Sequence, residues 1–413
     1  MQEMVDETQW AGVENSIEDP EETKVIFCAI DSFLQYARVT HFNCTHQRRQ
    51  SFYALPQVQW KMLAAPPFNY LETLDKVDAA IDSNAELSRA IARSGLPCFL
   101  RISQVEPGQE PQMPPQWAGS AKHSDIDKAR STIRQFYRDW SAEGVVEREA
   151  CYGPVMCALA SERATRKPED GPLKVLVPGA GLGRLIFDLC VNGYIAEGNE
   201  ISYHSLLASS FVLNSCQKAG QFTIYPWIHS FSNHQSRTNH LRGYSVPDVH
   251  CVSELGKLDK AGIPTGEMSM TAADFLCLYS DADHADSYDA VATVFFLDTA
   301  PNLIRYLETI YYCLKPGGVL INVGPLLWHF ENHAPGNHGD EDDGGGDSNT
   351  SGIADPGSFE LTDEEVMALV AKVGFTVESR QTGIEAPYIH DAQSMLQTVY
   401  KASAWVARKP LHK

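Results

Sequence analysis

The chain has 413 residues, 43% of them hydrophobic, and a formal charge of −20. That length exceeds one average domain and carries apolar side chains enough for a large core. The acidity argues against nucleic acid as a partner, because affinity for a polyanion rests on Lys and Arg neutralising phosphates. Met1-Gln-Glu-Met-Val-Asp-Glu7 lacks the apolar centre of a signal peptide, and no unbroken apolar run approaches the length of a membrane span. The expectation is a soluble, cytoplasmic chain with no membrane partner and with the nucleus as a second compartment. Ten cysteines are scattered without a CxxC pair. Cys190, Cys277 and Cys313 lie inside apolar periodic segments, so buried free thiols are expected rather than a disulfide framework or a zinc site.

In chain order, residues 1–20 are acidic and expected to be disordered. From Glu22 to about Arg93 the periodicity predicts helix: Val25, Phe27, Ile30, Phe33 and Leu34 fall near one face, and Leu71, Leu74, Val77, Ile81 and Leu87 do so further on. Val105 to Gln116, rich in Pro and Gln, predicts a linker, and Asp125 to Cys157 resumes as helix. The domain expectation is therefore a helical region over 21–157 and a catalytic domain over 158–413. Within the latter, about 335–357 contains Gly-Asp-Glu-Asp-Asp-Gly-Gly-Gly-Asp-Ser, too polar to bury and expected as a mobile surface insertion.

The catalytic half opens with Lys174-Val-Leu-Val-Pro-Gly-Ala-Gly-Leu-Gly-Arg184. An apolar run ends in alternating glycines, which allow a tight strand-to-helix turn and a close backbone approach to a ligand. A second strand-like run, Tyr194-Ile-Ala-Glu-Gly-Asn-Glu200, ends on a carboxylate placed to meet ribose hydroxyls. Alone, this fits either a dinucleotide-binding fold or one that binds S-adenosylmethionine (SAM). Further on come a strand-like run from Asp289 to Asp298, a helix from Asn302 to Leu314, the turn Lys315-Pro-Gly-Gly318 and a strand from Val319 to Val323. A helix closing in Leu-Lys-Pro-Gly-Gly before a strand favours SAM over a nicotinamide cofactor. The fold class expected is α/β, a Rossmann-like class I SAM-dependent methyltransferase with an N-terminal helical extension.

Several blocks are more specific than that class. Arg134-Gln-Phe-Tyr-Arg-Asp-Trp-Ser141, Glu147-Arg-Glu-Ala-Cys-Tyr152, Phe211-Val-Leu-Asn214, Tyr225-Pro-Trp-Ile-His229, Met270-Thr-Ala-Ala-Asp-Phe275, Phe296-Leu-Asp-Thr-Ala300 and Gly324-Pro-Leu-Leu-Trp-His-Phe-Glu-Asn332 stand in order with the glycine turn. Together they resemble the carnosine N-methyltransferase family, from about Phe27 to Lys409. The departures are the acidic insertion after Asn332 and a divergent stretch from Gly243 to Gly266.

The resemblance implies SAM as cofactor, held by Gln135, Arg138, Gly179, Gly181, Glu200, Asp274, Phe275 and Val294. Asp274 and the Phe275 amide would read the adenine edge, and Arg138 would pair with the methionine carboxylate. It implies a carnosine pocket built from Asp298, His329, Tyr388, Tyr400 and His229, with Asp298, His329 and Tyr400 in the catalytic role, and a homodimer through the helical extension. Simpler readings stand beside these. Arg138 could pair with Asp139 or Glu143 on its own helix, Asp298 could cap the helix after Asn302, Tyr400 could face the core, and the Tyr225–His229 block could be core packing. His329-Phe-Glu-Asn-His333 has HxExH spacing rather than HExxH, so no metal is expected. The functional expectation is methyl transfer to the imidazole of carnosine, giving anserine. The alternatives are another histidine-containing peptide or imidazole metabolite as acceptor, or a regulatory module that binds SAM without turnover.

Overall fold

A computed structural model describes residues 20–99, 112–332 and 357–411. The acidic N-terminal segment, most of the Pro/Gln-rich linker and nearly all of the acidic insertion lie outside the described residues. The chain forms two compact units. One comprises the chain up to Val145 with Tyr203–Val252 and Ile389–Thr398; the other comprises Val146–Ser202, Ser253–Tyr388 and the chain from Val399 onward. The helical unit thus takes in two segments from the half of the sequence expected to be catalytic.

The helical unit begins with α1 (Pro20–His41), α2 (Gln47–Tyr53), α3 (Gln57–Ala64), α4 (Tyr70–Phe99) and α5 (His123–Trp140). Helix α1 carries Glu21 and Glu22 in its first turn and Arg38 and His41 in its last, matching the helix dipole at both ends. Its buried face is Phe27, Ile30, Phe33 and Tyr36, and α4 buries Leu74, Val77, Ile81 and Leu87. Val25 departs from the predicted face: it is 54% exposed, because it sits more than a quarter turn away from the Phe27–Ile30 stripe. The predicted Asp125–Cys157 helix is two helices, α5 and α6 (Val145–Thr165). Ser141 Oγ donates to the Tyr137 carbonyl and accepts from Gly144 N, and a Cβ on Gly144 would overlap the Tyr137 and Arg138 carbonyl oxygens.

The second unit is built on a seven-stranded sheet. Its strands are β1 (Lys174–Pro178), β2 (Ile195–Glu200), β5 (Glu267–Ala272), β6 (Tyr288–Val294), β7 (Leu314–Gly324), β8 (Thr376–Pro387) and β9 (Val399–Arg408). The short pair β3 (Phe222–Ile224) and β4 (Tyr244–Val246) forms a separate ribbon in the helical unit. The order is β5-β2-β1-β6-β7-β9-β8, with β9 antiparallel to both neighbours and the other pairings parallel. A doubly wound dinucleotide fold ends 4-5-6; an antiparallel last strand slotted between the fifth and sixth is the class I methyltransferase arrangement. The central strands are apolar on both faces (Val175, Leu176, Ala290, Val291, Leu320, Ile321), as parallel strands covered by helices must be.

Helices α7 (Arg184–Val191), α11 (Phe275–Tyr279), α12 (Leu303–Cys313) and α13 (Asp363–Val373) follow strands in this unit, and α8 (Tyr203–Ser210), α9 (Arg237–His240) and α10 (Cys251–Lys260) lie between α7 and α11 in the chain. Leu176, Val291 and Leu320 pack with Phe275, Phe296, Tyr306, Ile310, Val370 and Trp405 into its main core. The predicted Lys315–Gly318 turn is absorbed into β7. Tyr288 pairs with Leu314 and Ala290 with Val319, so the extra residues bulge out of the ladder at Gly317, where φ is +83°. Cys277 is exposed rather than buried, on the outer side of the short α11, while Cys190 and Cys313 are buried and all ten cysteines are free thiols. Among the described residues no helix is long and apolar enough to cross a membrane.

Candidate functional site

The turn after β1 is set by three glycines with left-handed backbone: φ is +67° at Gly179, +55° at Gly181 and +76° at Gly183. A Cβ on Gly179 would come within 2.7 Å of the Phe296 ring, whereas one on Gly181 would meet nothing within 4 Å. Gly179 is therefore a packing requirement, and Gly181 faces open space at the carboxyl edge of the sheet. Glu200 closes this turn from β2. Its Oε2 accepts from Gly181 N at 2.9 Å, and its Oε1 accepts from Ile201 N and Ser202 N at 2.9 Å each. Burial pushes the Glu200 pKa up while the three N–H groups pull it back, so the carboxylate is held at the lip of the turn by the backbone itself. Three of its roughly four lone-pair positions are taken inside the protein.

Asp274 stands one residue beyond the bonds that tie β5 to β2. Ala273 N donates to the Glu200 carbonyl at 3.3 Å, and Asn199 Nδ2 donates to the Ala273 carbonyl at 2.9 Å. Asp274 Oδ1 caps α11 by accepting from Cys277 N at 3.0 Å, so the residue expected at the adenine edge also starts a helix. The Phe275 ring is core, against Tyr279, Phe296 and Tyr306, which leaves its backbone for recognition. Val294 ends β6, half-buried beside Cys151, Ala386 and Ala402. These residues stand at or just beyond the carboxyl ends of β1, β2, β5 and β6, and the donor and acceptor set fits an adenosine-bearing cofactor: an open glycine turn, then a fixed carboxylate, then a second carboxylate at a helix start.

A second cluster lies past β6. Asp298 is 3% exposed, in the turn Leu297–Thr299. It does not cap the following helix; Asn302 does, by accepting from Arg305 N. Instead Asp298 Oδ2 accepts from Leu327 N at 2.8 Å, and its carbonyl accepts from His329 N at 3.1 Å, so the β6 and β7 loops are stitched together. Burial raises the Asp298 pKa, opposed by the Leu327 N–H and by His329. The Tyr400 pKa is raised by burial and then by Tyr388 and Asp298. Tyr400 ends in this cluster, not in the core: its ring lies 5.7 Å from Phe295 and 6.1 Å from Tyr388. Phe295, 5.5 Å from Tyr388, completes the aromatic group and was not among the expected residues. Its φ of +52° is rare for a bulky side chain, and nothing in a string of apolar residues announces it.

Gln135, Arg138 and His229 belong to the helical unit. Gln135 and Arg138 share the half-buried face of α5, whose other side is Ile126, Ala129, Ile133, Phe136 and Trp140. Arg138 closes its fork on Asp139, Nε to Oδ1 at 2.6 Å and the second nitrogen to Oδ2 at 2.9 Å. The guanidinium expected to meet the cofactor thus has an intramolecular carboxylate in the same geometry. Trp227 is core, edge-on to Tyr137 and Tyr244, while His229 lines a cleft. His229 Nε2 lies 2.7 Å from Tyr36 Oη, and burial followed by the charges of Arg134 and Arg130 pushes its pKa down to about 3.

A family model described as carnosine N-methyltransferase matches residues 115–411. The chain belongs to the carnosine N-methyltransferase family. It is 35% identical to the carnosine N-methyltransferase of Rattus norvegicus over 96% of this chain and 90% of that one. It is 36% identical to the carnosine N-methyltransferase of Schizosaccharomyces pombe over 94% and 97%. A solved SAM-dependent methyltransferase from Methanosarcina mazei is a remote likeness, with 15% identity and a TM-score of 0.33 over 58% of this chain and 94% of that one. With this membership and the sheet order above, the chain is a SAM-dependent methyltransferase.

Proposed function

We propose that this enzyme transfers the methyl group of SAM to an imidazole nitrogen of carnosine, β-alanyl-histidine, giving anserine and S-adenosylhomocysteine. The observation that carries the reading is Asp298, a buried carboxylate at the carboxyl end of the central strand β6, beside Tyr400 and bonded through its backbone to His329. Open α/β sheets bind their ligands at that edge. SAM supplies an electrophilic methyl on a sulfonium, so the acceptor nitrogen needs only a free lone pair. An imidazole with a reference pKa near 6.5 is largely neutral at pH 7 and needs no strong base.

The residues' task is then orientation and electrostatics. Asp298 accepts the N–H of one ring nitrogen, which leaves the lone pair on the other, the nitrogen nearer the side-chain methylene. As the bond to carbon forms, positive charge moves onto the ring, and the carboxylate stabilises it. Tyr388 and Tyr400, with Phe295, wall the acceptor, and His329 stands at the exposed mouth. Glu200 and Asp274 hold the adenosine side, with Gly181 leaving the backbone open to the cofactor and Gly179 allowing Phe296 to pack under the turn. We also propose a cytoplasmic enzyme that pairs as a homodimer through its helical extension.

The test is incubation of the pure protein with methyl-labelled SAM and a panel of carnosine, free histidine, other histidine dipeptides and imidazole metabolites, with mass-spectrometric assignment of the methylated nitrogen. Carnosine is expected to show the highest kcat/KM and a single ring-methylated product. A stronger turnover on another imidazole would move the acceptor assignment, and absence of turnover on every imidazole would remove it.

A further inference from the structure

The forty residues from Ser32 to Leu71 contain no Asp or Glu, in a chain that has 53 of them, while Arg38, Arg48, Arg49 and Lys61 fall inside the stretch. It builds one end of the helical unit. Helix α1 runs through a π-helical turn, Phe42–His46, directly into α2. Along that length it pairs antiparallel with α4: Ser88 Oγ donates to the Phe33 carbonyl, His41 and Thr45 meet Asp78, Arg49 meets Asp75, and the Phe52 ring stacks on Tyr70. Past Tyr53 the chain turns through α3, none of whose residues is fully buried. Tyr53, Val58, Met62 and Phe68 are each more than half exposed, and Val58 and Met62 share one face of α3, a turn apart. Phe52 is buried beneath, with the Tyr53 and Trp60 rings packed against it and against each other, so the apolar surface rests on a fixed aromatic base.

Exposed apolar side chains gathered in this way mark a docking surface. Charge selects what covers it. Lys61, next to Met62, lies over the Trp60 ring and makes no ion pair among the described residues. The same surface on a second copy would bring like charge and no carboxylate. Residues 1–19 hold the complement: six acidic residues, no Lys or Arg, and Trp10, Val13 and Ile17 at the spacing of one helix face. They do not reach the surface of their own protomer. From Pro20 to Tyr53, α1 and α2 together span about 50 Å, whereas a fully extended chain carries Trp10 only about 36 Å from Pro20 and Ile17 about 11 Å. We propose that the α2–α3 surface of one protomer is the docking site for residues 1–19 of a second copy, exchanged reciprocally, with Trp10, Val13 and Ile17 as the anchors laid on Tyr53, Val58, Met62 and Phe68. The inference rests on the pairing proposed above and gives it a surface.

The test compares three forms of the full chain by sedimentation at micromolar concentration: the wild type, a tail variant carrying Trp10→Glu and Val13→Glu, and a surface variant carrying Val58→Glu and Met62→Glu. The wild type is expected to be dimeric, and each double variant to dissociate at least about tenfold more readily. A fluorescent peptide of residues 1–19, titrated into the tail variant, should bind saturably. Adding Val58→Glu and Met62→Glu to that variant should weaken the peptide at least about tenfold, and adding Lys61→Glu instead should weaken it several-fold, a loss that shrinks as salt is raised. The substituted surface residues are exposed, and cooperative thermal melting separates lost docking from lost folding; Lys61→Glu serves if the surface pair does not fold. A monomeric wild type overturns the exchange together with the pairing. A tail variant as dimeric as the wild type overturns the exchange alone and leaves the pairing to another surface, or to this surface against itself if the surface variant is monomeric. Absence of saturable peptide binding overturns the docking site, and capture of the tail variant by anionic phospholipid vesicles in its place would assign the surface to a membrane.

Discussion

At the scale of single residues, Glu200 and Asp298 are both buried carboxylates but differ in how fully the backbone holds them. Glu200 is fixed by three backbone N–H groups, so its geometry exists before any ligand arrives. Glu200→Gln keeps the shape but turns one acceptor into a donor facing N–H groups. With charged hydrogen bonds worth about 1.5–3 kcal/mol, SAM affinity should fall at least about tenfold, read by calorimetric titration. Unchanged affinity in a folded variant would remove Glu200 from the cofactor site. Asp298 accepts from Leu327 N and from its own backbone N–H and is otherwise desolvated, which raises its pKa. A carboxyl whose pKa is raised on folding favours the fold at low pH, and that contribution is lost as pH rises through the folded pKa. Asp298→Asn should therefore raise the thermal midpoint at pH 7, with the gain shrinking as pH falls into the ordinary carboxylate range. The same variant should lower kcat steeply with little change in SAM Kd. Wild-type kcat/KM in Asp298→Asn, or a defect confined to SAM binding, would place the carboxylate outside the acceptor site. Glu200 and Asp298 stand where the strand pattern places them, Glu200 as the last residue of β2 and Asp298 in the turn that follows β6. Phe295 was not legible, since its role comes from a left-handed φ that sequence does not display.

At the scale of elements, what was readable were the periodic segments, and what was missed were their interruptions. The β1–turn–α7 passage and α12 appear where glycine spacing and apolar periodicity place them, α12 with Asn302 as its cap. The break between α5 and α6 was invisible because Ser141-Ala-Glu-Gly144 carries no proline and only one glycine, and helix propensity tolerates both flanks. Tertiary geometry decides it. Gly144 packs against the carbonyls that end α5, and Ser141 ties the turn from both sides. Gly144→Ala should therefore destabilise the protein by about 1–3 kcal/mol, more than the few tenths an exposed glycine would cost in either direction. A shifted denaturant midpoint at unchanged slope is the readout, and an unshifted midpoint would mean the turn relaxes freely.

At the scale of the whole molecule, the sequence located the sheet better than it drew boundaries. The glycine turn with Leu-Lys-Pro-Gly-Gly pointed to the class of sheet that is found. The expected split at 157/158 takes the chain as two consecutive pieces, whereas Tyr203–Val252 and Ile389–Thr398 fold with the N-terminal helices. Periodicity reports local faces and carries no information on which distant face covers them. The consequence can be tested by excision. Ile228 packs among Tyr36, Cys44, Val77, Ala80 and Ile81, and the Tyr225 backbone is bonded to Asn84 through both its N–H and its carbonyl. Trp227 lies edge-on to Tyr137 of α5. A fragment 146–413 keeps the inserted segments but loses every one of these partners, leaving apolar side chains and backbone groups that were buried exposed to water. It should be poorly soluble or bind a hydrophobic dye with weak near-ultraviolet dichroism, even though its seven-stranded sheet is intact in sequence. If instead 146–413 were soluble, melted cooperatively and bound SAM with the affinity of the full chain, the inserted segments would not depend on α1, α4 and α5 for their fold, and the N-terminal helices would be an accessory to a self-sufficient catalytic unit.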